Sequence, residues 1–129
     1  MLPISTFPHE ALAHIEFIFS DVDDTITTHA RVTSRVLAAM EALGAAGVKI
    51  VPVTGRPARW CHGLARAWPI AGIVAENGAA AYWLNAHGAQ QQLFSEPDAN
   101  ARVQQRAALA AIQIEALIRF PMFSAAQDQ

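Results

Sequence analysis

The chain opens its first clear pattern at residues 15–19, an apolar run with Glu16 its only charge, which breaks directly into Asp21. A short apolar run of this kind predicts a buried strand, here with an acidic carboxyl end. After a turn at residues 27–29, Val36, Met40 and Leu43 fall on one face of a predicted helix over 33–43, with Thr33 or Ser34 as cap and Gly44 and Gly47 as stops. Residues 48–53 read as a second strand, in which Pro52 is tolerated best where pairing ends. Pro57 suits the first turn of a second helix, which carries Trp60, Leu64 and Trp68 at four-residue spacing until Pro69. That stripe predicts core. Residues 73–75 make a third strand.

Strand, helix, strand, helix, strand with short links is the pattern of a parallel sheet wound by crossovers, an α/β three-layer arrangement of Rossmann-like type. From Ala79 the pattern changes. Residues 80–84 and 90–94 flank Asn85-Ala86-His87-Gly88 as a hairpin, and 98–119 reads as one helix containing Val103, Ala107, Ala110, Ile114 and Leu117. The expected organisation is a core over 1–79 and a second unit over 80–129.

Composition narrows the partners. With 53% apolar and 16% charged residues in 129, the chain has enough to bury a core. A net charge of -2 argues against nucleic acid or an anionic membrane surface and leaves a small molecule as the expected partner. Cys61 is the only cysteine, so no internal disulfide forms, which fits a reducing compartment. No Lys or Arg precedes Arg31, and no apolar run approaches the ~20 residues of a membrane span, so the expectation is a cytoplasmic protein.

Each of the three strand tips is polar: Asp21-Val22-Asp23-Asp24-Thr25, Thr54-Gly55-Arg56 and Glu76-Asn77-Gly78. In wound sheets ligands bind beyond the carboxyl ends of the strands, so the chemistry is expected there. Three carboxylates within four positions repel one another unless a cation intervenes, and hard oxygen donors suit Mg²⁺. An EF-hand loop counted from Asp21 would need Gly and Glu where Ile26 and Val32 stand. A receiver domain would want its accepting Asp at a later tip, where Thr54 or Glu76 stands.

An apolar strand into DVDDT, then a strand into TGR, then ENGA, in this order, resembles the haloacid dehalogenase (HAD) superfamily. Within it, TGR and ENGA resemble the type IIB subgroup, whose large cap is inserted after the third strand and which contains Cof-like and sugar-phosphate phosphatases. The segment from Ala80 onward would then begin an α+β cap. The resemblance implies that Asp21 is a nucleophile forming an aspartyl-phosphate and that Asp23 is the general acid and base. It also implies that Mg²⁺ is held by the Asp21 carboxylate and the Asp23 backbone carbonyl. Thr54 and Gly55 would bind phosphoryl oxygens, Arg56 would hold substrate or shape its loop, and Asn77 would line the substrate entrance. The family most often has Gly where this chain has Asp24.

The implied activity is a Mg²⁺-dependent phosphatase acting on a small phosphorylated metabolite such as a sugar phosphate. The alternatives are a phosphomutase, or a non-catalytic form that binds phosphate or a partner chain. Two pieces of the family's site have no match: a lysine and a later acidic pair. Lys49, the only lysine, starts the second strand at the wrong end; Glu115 falls inside a helix and Asp128 lies next to the terminus. These gaps predict the amino-terminal half of a longer phosphatase, with an exposed edge on the first strand open to self-association.

Overall fold

The computed structural model describes residues 3–122. A short helix α1 (His9–Leu12) precedes β1 (Phe17–Ser20), and α2 (Ser34–Ala45) connects β1 to β2 (Lys49–Pro52). Helix α3 (Ala58–Ala67) leads to β3 (Ile73–Ala75), then come β4 (Ala80–Leu84), β5 (Gln90–Phe94) and the long α4 (Ala99–Arg119). Asp128 lies outside the described residues.

Strands β1 and β2 are parallel, with Ile18 opposite Ile50 and Phe19 opposite Val51. β3 joins them through a single parallel bridge, Val53 to Val74, and then pairs antiparallel with β4, which pairs antiparallel with β5. Pro52 explains the thin join. Lys49 and Val53 donate their N–H groups to Glu16 and Ser20 on the β1 side. Because strand amides alternate in direction, the donor that Pro52 lacks would have faced β3.

The caps follow the sequence closely. The Thr33 hydroxyl accepts from the Val36 N–H at 3.3 Å and opens α2. The helix runs through Gly44 and stops at Gly47, whose φ of 86° lets Val48 N–H reach the Leu43 carbonyl and Gly47 N–H the Gly44 carbonyl. Asp98 caps α4 by accepting from the Asn100 N–H at 2.9 Å. In the β4–β5 loop the Asn85 side chain accepts from the His87 and Ala89 N–H groups, and Gly88 supplies the left-handed residue.

Residues paired across neighbouring strands share a face. One face presents Ile50, Ile73, Ala75, Ala80 and Tyr82, all buried. Helix α2 covers its β2 end with Met40, Val36 and Leu43, and α3 covers the β3–β4 end with Cys61 and Ala65. The residues fully buried on α3 are thus the small Cys61 and Ala65, which let the helix approach the sheet closely, while Trp60 and Leu64 flank them and Trp68 packs against the α2 cluster.

The opposite face presents Phe17, Phe19, Val51, Val74, Trp83 and Leu93, and no described element covers it. Phe17 and Phe19 stack at 6.1 Å and are 45% and 66% exposed. The expected burial of the first strand therefore fails on one side. Among the described residues β1 has a strand neighbour on one edge only, and α2 and α3 pack on the same face of the sheet. Helix α4 has no buried residue, and Leu109, Ile112 and Ile118 are among its exposed side chains.

Candidate active site

The segment after β1 explains how one strand tip can present carboxylates and still anchor itself. Val22 points inward and is fully buried, while Asp21, Asp23 and Asp24 are exposed. A tight turn closes behind them: both the N–H and the hydroxyl of Thr27 donate to the Val22 carbonyl, at 2.9 and 3.0 Å. Asp24 makes the turn at φ 56°, a left-handed conformation that favours glycine and that aspartate also tolerates. The chain has the turn that glycine would give, with an added charge.

Asp21 ends up in an open cleft of about 370 Å³, lined also by Phe19, Ser20, Val53, Thr54, Gly55 and Asn77. Residues from all three strand tips therefore meet in one cavity. Thr54 is 3% exposed; its N–H donates to the Val74 carbonyl, and its hydroxyl accepts from the Arg56 N–H at 3.1 Å. The hydroxyl proton remains available to donate. Gly55 packs against Asn77, whose Oδ1 would lie 3.2 Å from a Cβ at position 55. Asn77 itself is left-handed, at φ 54°, and its N–H donates to the Thr54 carbonyl.

Asp23 and Arg56 stand apart from that lining. The Arg56 guanidinium grips both Asp23 oxygens, with Nε at 2.9 Å from Oδ2 and Nη2 at 2.5 Å from Oδ1. This fork holds the Asp23 carboxyl below its usual range, chiefly through the hydrogen bonds, against a smaller opposing effect of burial. The Arg56 guanidinium lies 4.2 Å above the Trp60 ring, at cation–π distance. Behind it, Cys61 is fully buried and its thiol is pushed up to about 11 by desolvation.

Glu76, at φ 51°, turns its side chain back to accept from the Ala58 N–H at 2.9 Å, capping α3 where Pro57 cannot. Lys49 sits at the amino end of β2 with its Nζ 4.9 Å from the Phe17 ring centroid. Among the described residues no three His, Cys, Asp or Glu side chains gather to hold a metal. The carboxylates of residues 21–24 thus do not form the shared acidic cluster that their spacing suggests, because Val22 turns the chain inward between two of them and Arg56 engages Asp23. An Asp21 carboxylate and an Asp23 backbone carbonyl are still donors of the kind Mg²⁺ takes, since that ion usually keeps waters and binds through one or two carboxylates.

Three contributors were not singled out by sequence. Ser20 lines the cleft as the last residue before Asp21; Glu76 acts as a helix cap; Trp60, read only as core, stacks on Arg56. The stack on Trp60 had no signal in the sequence, because Arg56 precedes α3, which begins at Ala58, and helical spacing does not relate the two.

The chain matches the family model of the haloacid dehalogenase-like hydrolases over residues 18–114. It belongs to that family. Among solved structures it is similar to BT1666 of Bacteroides thetaiotaomicron, described among phosphatases of the haloalkanoate (HAD) superfamily. That match has a TM-score of 0.51 and 26% identity, over 82% of this chain and 39% of that one. It is also similar to the HAD subclass IIB sugar phosphatase BT4131, with a TM-score of 0.45 and 32% identity over 53% of this chain and 28% of that one. The chain thus spans well under half the length of either. No curated protein matches it. Among the described residues no helix is long and apolar enough to cross a membrane.

Proposed function

We propose that this chain supplies the nucleophile side of a phosphatase site that hydrolyses a small phosphorylated metabolite, with a sugar phosphate as the favoured class, through an aspartyl-phosphate. The observation that supports this reading most is that Asp21, from the tip of β1, shares one cleft with Thr54 and Gly55 from the β2 tip and Asn77 from the β3 tip. Membership of the hydrolase family and the likeness to a HAD-superfamily phosphatase agree with it.

In this reading an Asp21 oxygen attacks phosphorus as the bond from phosphorus to the leaving oxygen breaks, and Asp23, which must first leave Arg56 and take up a proton, gives that proton to the leaving oxygen. Water then attacks the aspartyl-phosphate and loses a proton to Asp23, which frees phosphate and restores Asp21. The Thr54 hydroxyl and the Asn77 amide offer donors to phosphoryl oxygens, and Gly55 leaves room for Asn77. The Asp21 carboxylate and Asp23 carbonyl would hold Mg²⁺, which supplies neutralisation of phosphoryl charge. Residues 80–129 would begin the cap that selects the substrate.

The test is Mg²⁺-dependent phosphate release from p-nitrophenyl phosphate and a panel of sugar phosphates, with acid-quench capture of the phosphorylated protein. Wild type should trap phosphate on Asp21, and Asp21→Asn should trap none. Capture that survives the substitution would refute the nucleophile assignment. A phosphoryl group returned to another hydroxyl of the sugar would instead identify a mutase. A chain that binds neither phosphate nor Mg²⁺ yet self-associates would favour the non-catalytic reading, to which the exposed Phe17 and Phe19 on the edge strand lend weight.

A further inference from the structure

A second cavity, of about 250 Å³, lies where α4 meets the ends of β3 and β5, and it shares no lining residue with the Asp21 cleft. Glu76 and Glu96 come to it from the strand side, and Arg102, Gln105 and Arg106 from the first turns of α4. The turn between β5 and α4 sets this arrangement. The Glu96 carboxylate accepts from the Asp98 N–H at 3.0 Å, Asp98 caps the helix, and Arg102 reaches back over the turn. Its Nη1 donates to the Glu96 and Pro97 carbonyls at 2.7 and 2.9 Å, and its guanidinium lies 4.5 Å over the Phe94 ring.

Arg102 is thereby fixed and half-buried with only one of its nitrogens in use. Nη1 spends both protons on the two carbonyls. Nε and Nη2 donate to no described residue, and their parallel N–H groups form the fork that matches a carboxylate. Helix stability does not account for this charge, because a cation in the first turn meets the positive end of the helix dipole. Arg106, one turn further on, lines the same cavity and forms no ion pair with a described residue. The two carboxylates are likewise half used. Oε1 of Glu76 accepts from the Ala58 N–H and Oε1 of Glu96 from the Asp98 N–H, while the other oxygen of each accepts from no described residue.

The lining is thus formally neutral, with unspent donors on the helix wall and unspent acceptors on the strand wall. A bare anion would face two carboxylates, and a neutral polyol would leave the guanidinium fork without its charge partner. A ligand that carries one carboxylate and several hydroxyls suits both walls. We propose that this cavity binds a small hydroxy acid, whose carboxylate sits on Arg102 and Arg106 and whose hydroxyls donate to Glu76 and Glu96. Nothing in this pocket depends on a phosphoryl group in the Asp21 cleft.

The test is NMR titration of the 129-residue chain with gluconate, which carries both groups, and with sorbitol and acetate, each of which lacks one. The Arg102 Nε–H resonance, identified by its loss in Arg102→Lys, should move saturably with gluconate, and sorbitol and acetate should each bind about tenfold more weakly. Arg106→Gln should weaken gluconate about tenfold and leave the urea midpoint unchanged, since Arg106 pairs with no described residue. An Arg102 resonance that stays in place, or a gluconate affinity that Arg106→Gln leaves intact, would overturn the proposal. Acetate or inorganic phosphate binding as tightly as gluconate would overturn it too, because the cavity would then be a general oxyanion site. The Gly55 and Asn77 amides, which lie in the Asp21 cleft, should not respond to gluconate. Gluconate that moved them in place of Arg102 would put the ligand in the wrong cavity, whereas their response to phosphate decides the phosphatase reading separately.

Discussion

The Glu76 carboxylate accepts a hydrogen bond from the Ala58 N–H at 2.9 Å, so the tip of the third strand caps the helix that starts after the second. Helix α3 opens on Pro57, which has no side-chain oxygen to offer, and a carboxylate brought from elsewhere satisfies one orphan donor and meets the positive end of the helix dipole. The cost is a glutamate backbone at φ 51°. Replacing Glu76 by Ala should lower stability by about 1 kcal/mol, the usual worth of a helix cap. Gly should cost less, because it loses the cap but relieves the left-handed backbone. Urea unfolding of the two variants checks the order, and a more stable Ala variant would show that the cap contributes nothing.

Asp24 presents the opposite case, a strained position with no hydrogen bond from its side chain among those described. Asp24→Gly should raise the urea midpoint by the equivalent of about 0.5–1 kcal/mol, since relief of the left-handed penalty outweighs the added freedom of the unfolded chain. At Gly47, with φ 86°, the sign reverses: Gly47→Ala should destabilise by about 1 kcal/mol.

Gly55 has little room for a side chain, since an added Cβ would press on Asn77 Oδ1 at 3.2 Å. Gly55→Ala should weaken inorganic phosphate binding several-fold while changing the unfolding midpoint little, because a neighbouring exposed side chain can give way. Shortening that neighbour in the double variant Gly55→Ala/Asn77→Ser should leave no penalty beyond that of Asn77→Ser alone. Additive losses would place the effect of Gly55 in its own backbone instead.

Cys61 is fully buried, and desolvation raises its thiol from 9.0 to about 11. A thiol reagent at pH 8 should therefore modify it slowly in the folded protein and at once after unfolding. A raised folded value also fixes the sign of a stability trend. Below pH 9 both states hold the proton and the contribution is complete; above it the unfolded thiol ionises first, and the contribution is lost as pH rises through about 11. Measured against Cys61→Ala, the wild-type midpoint should fall across that range. A flat difference would contradict the burial of the thiol.

Much of the fold was legible because local signals agreed with one another. Residues 73–75, 80–84 and 90–94 are strands as the alternation predicts, and 98–119 is a capped helix. The Pro52 argument held for the join between β2 and β3, where a missing donor leaves one bridge. The burial of β1 was not legible, since apolar residues alternate faces whether or not anything covers them, and only the assembled sheet leaves Phe17 and Phe19 open. Trp60 packs against the core as its spacing predicts, but its stack on Arg56 was not legible, because four-residue spacing assigns a helix face and not its neighbour.

The candidate site divides in the same way. By itself the sequence determined that three polar tips follow three strands in a fixed order, because apolar runs and turn residues act over a few positions. It also placed Asp21 at the first of them. Only the tertiary structure decided that Asp21 shares a cleft with Thr54, Gly55 and Asn77 while Asp23, two residues away, turns to Arg56. That choice depends on where a guanidinium 33 residues further along the chain comes to rest. Its place is set by the parallel pairing of β1 with β2, the Trp60 ring and the turn at Glu76, none of which is a property of the segment around Asp23.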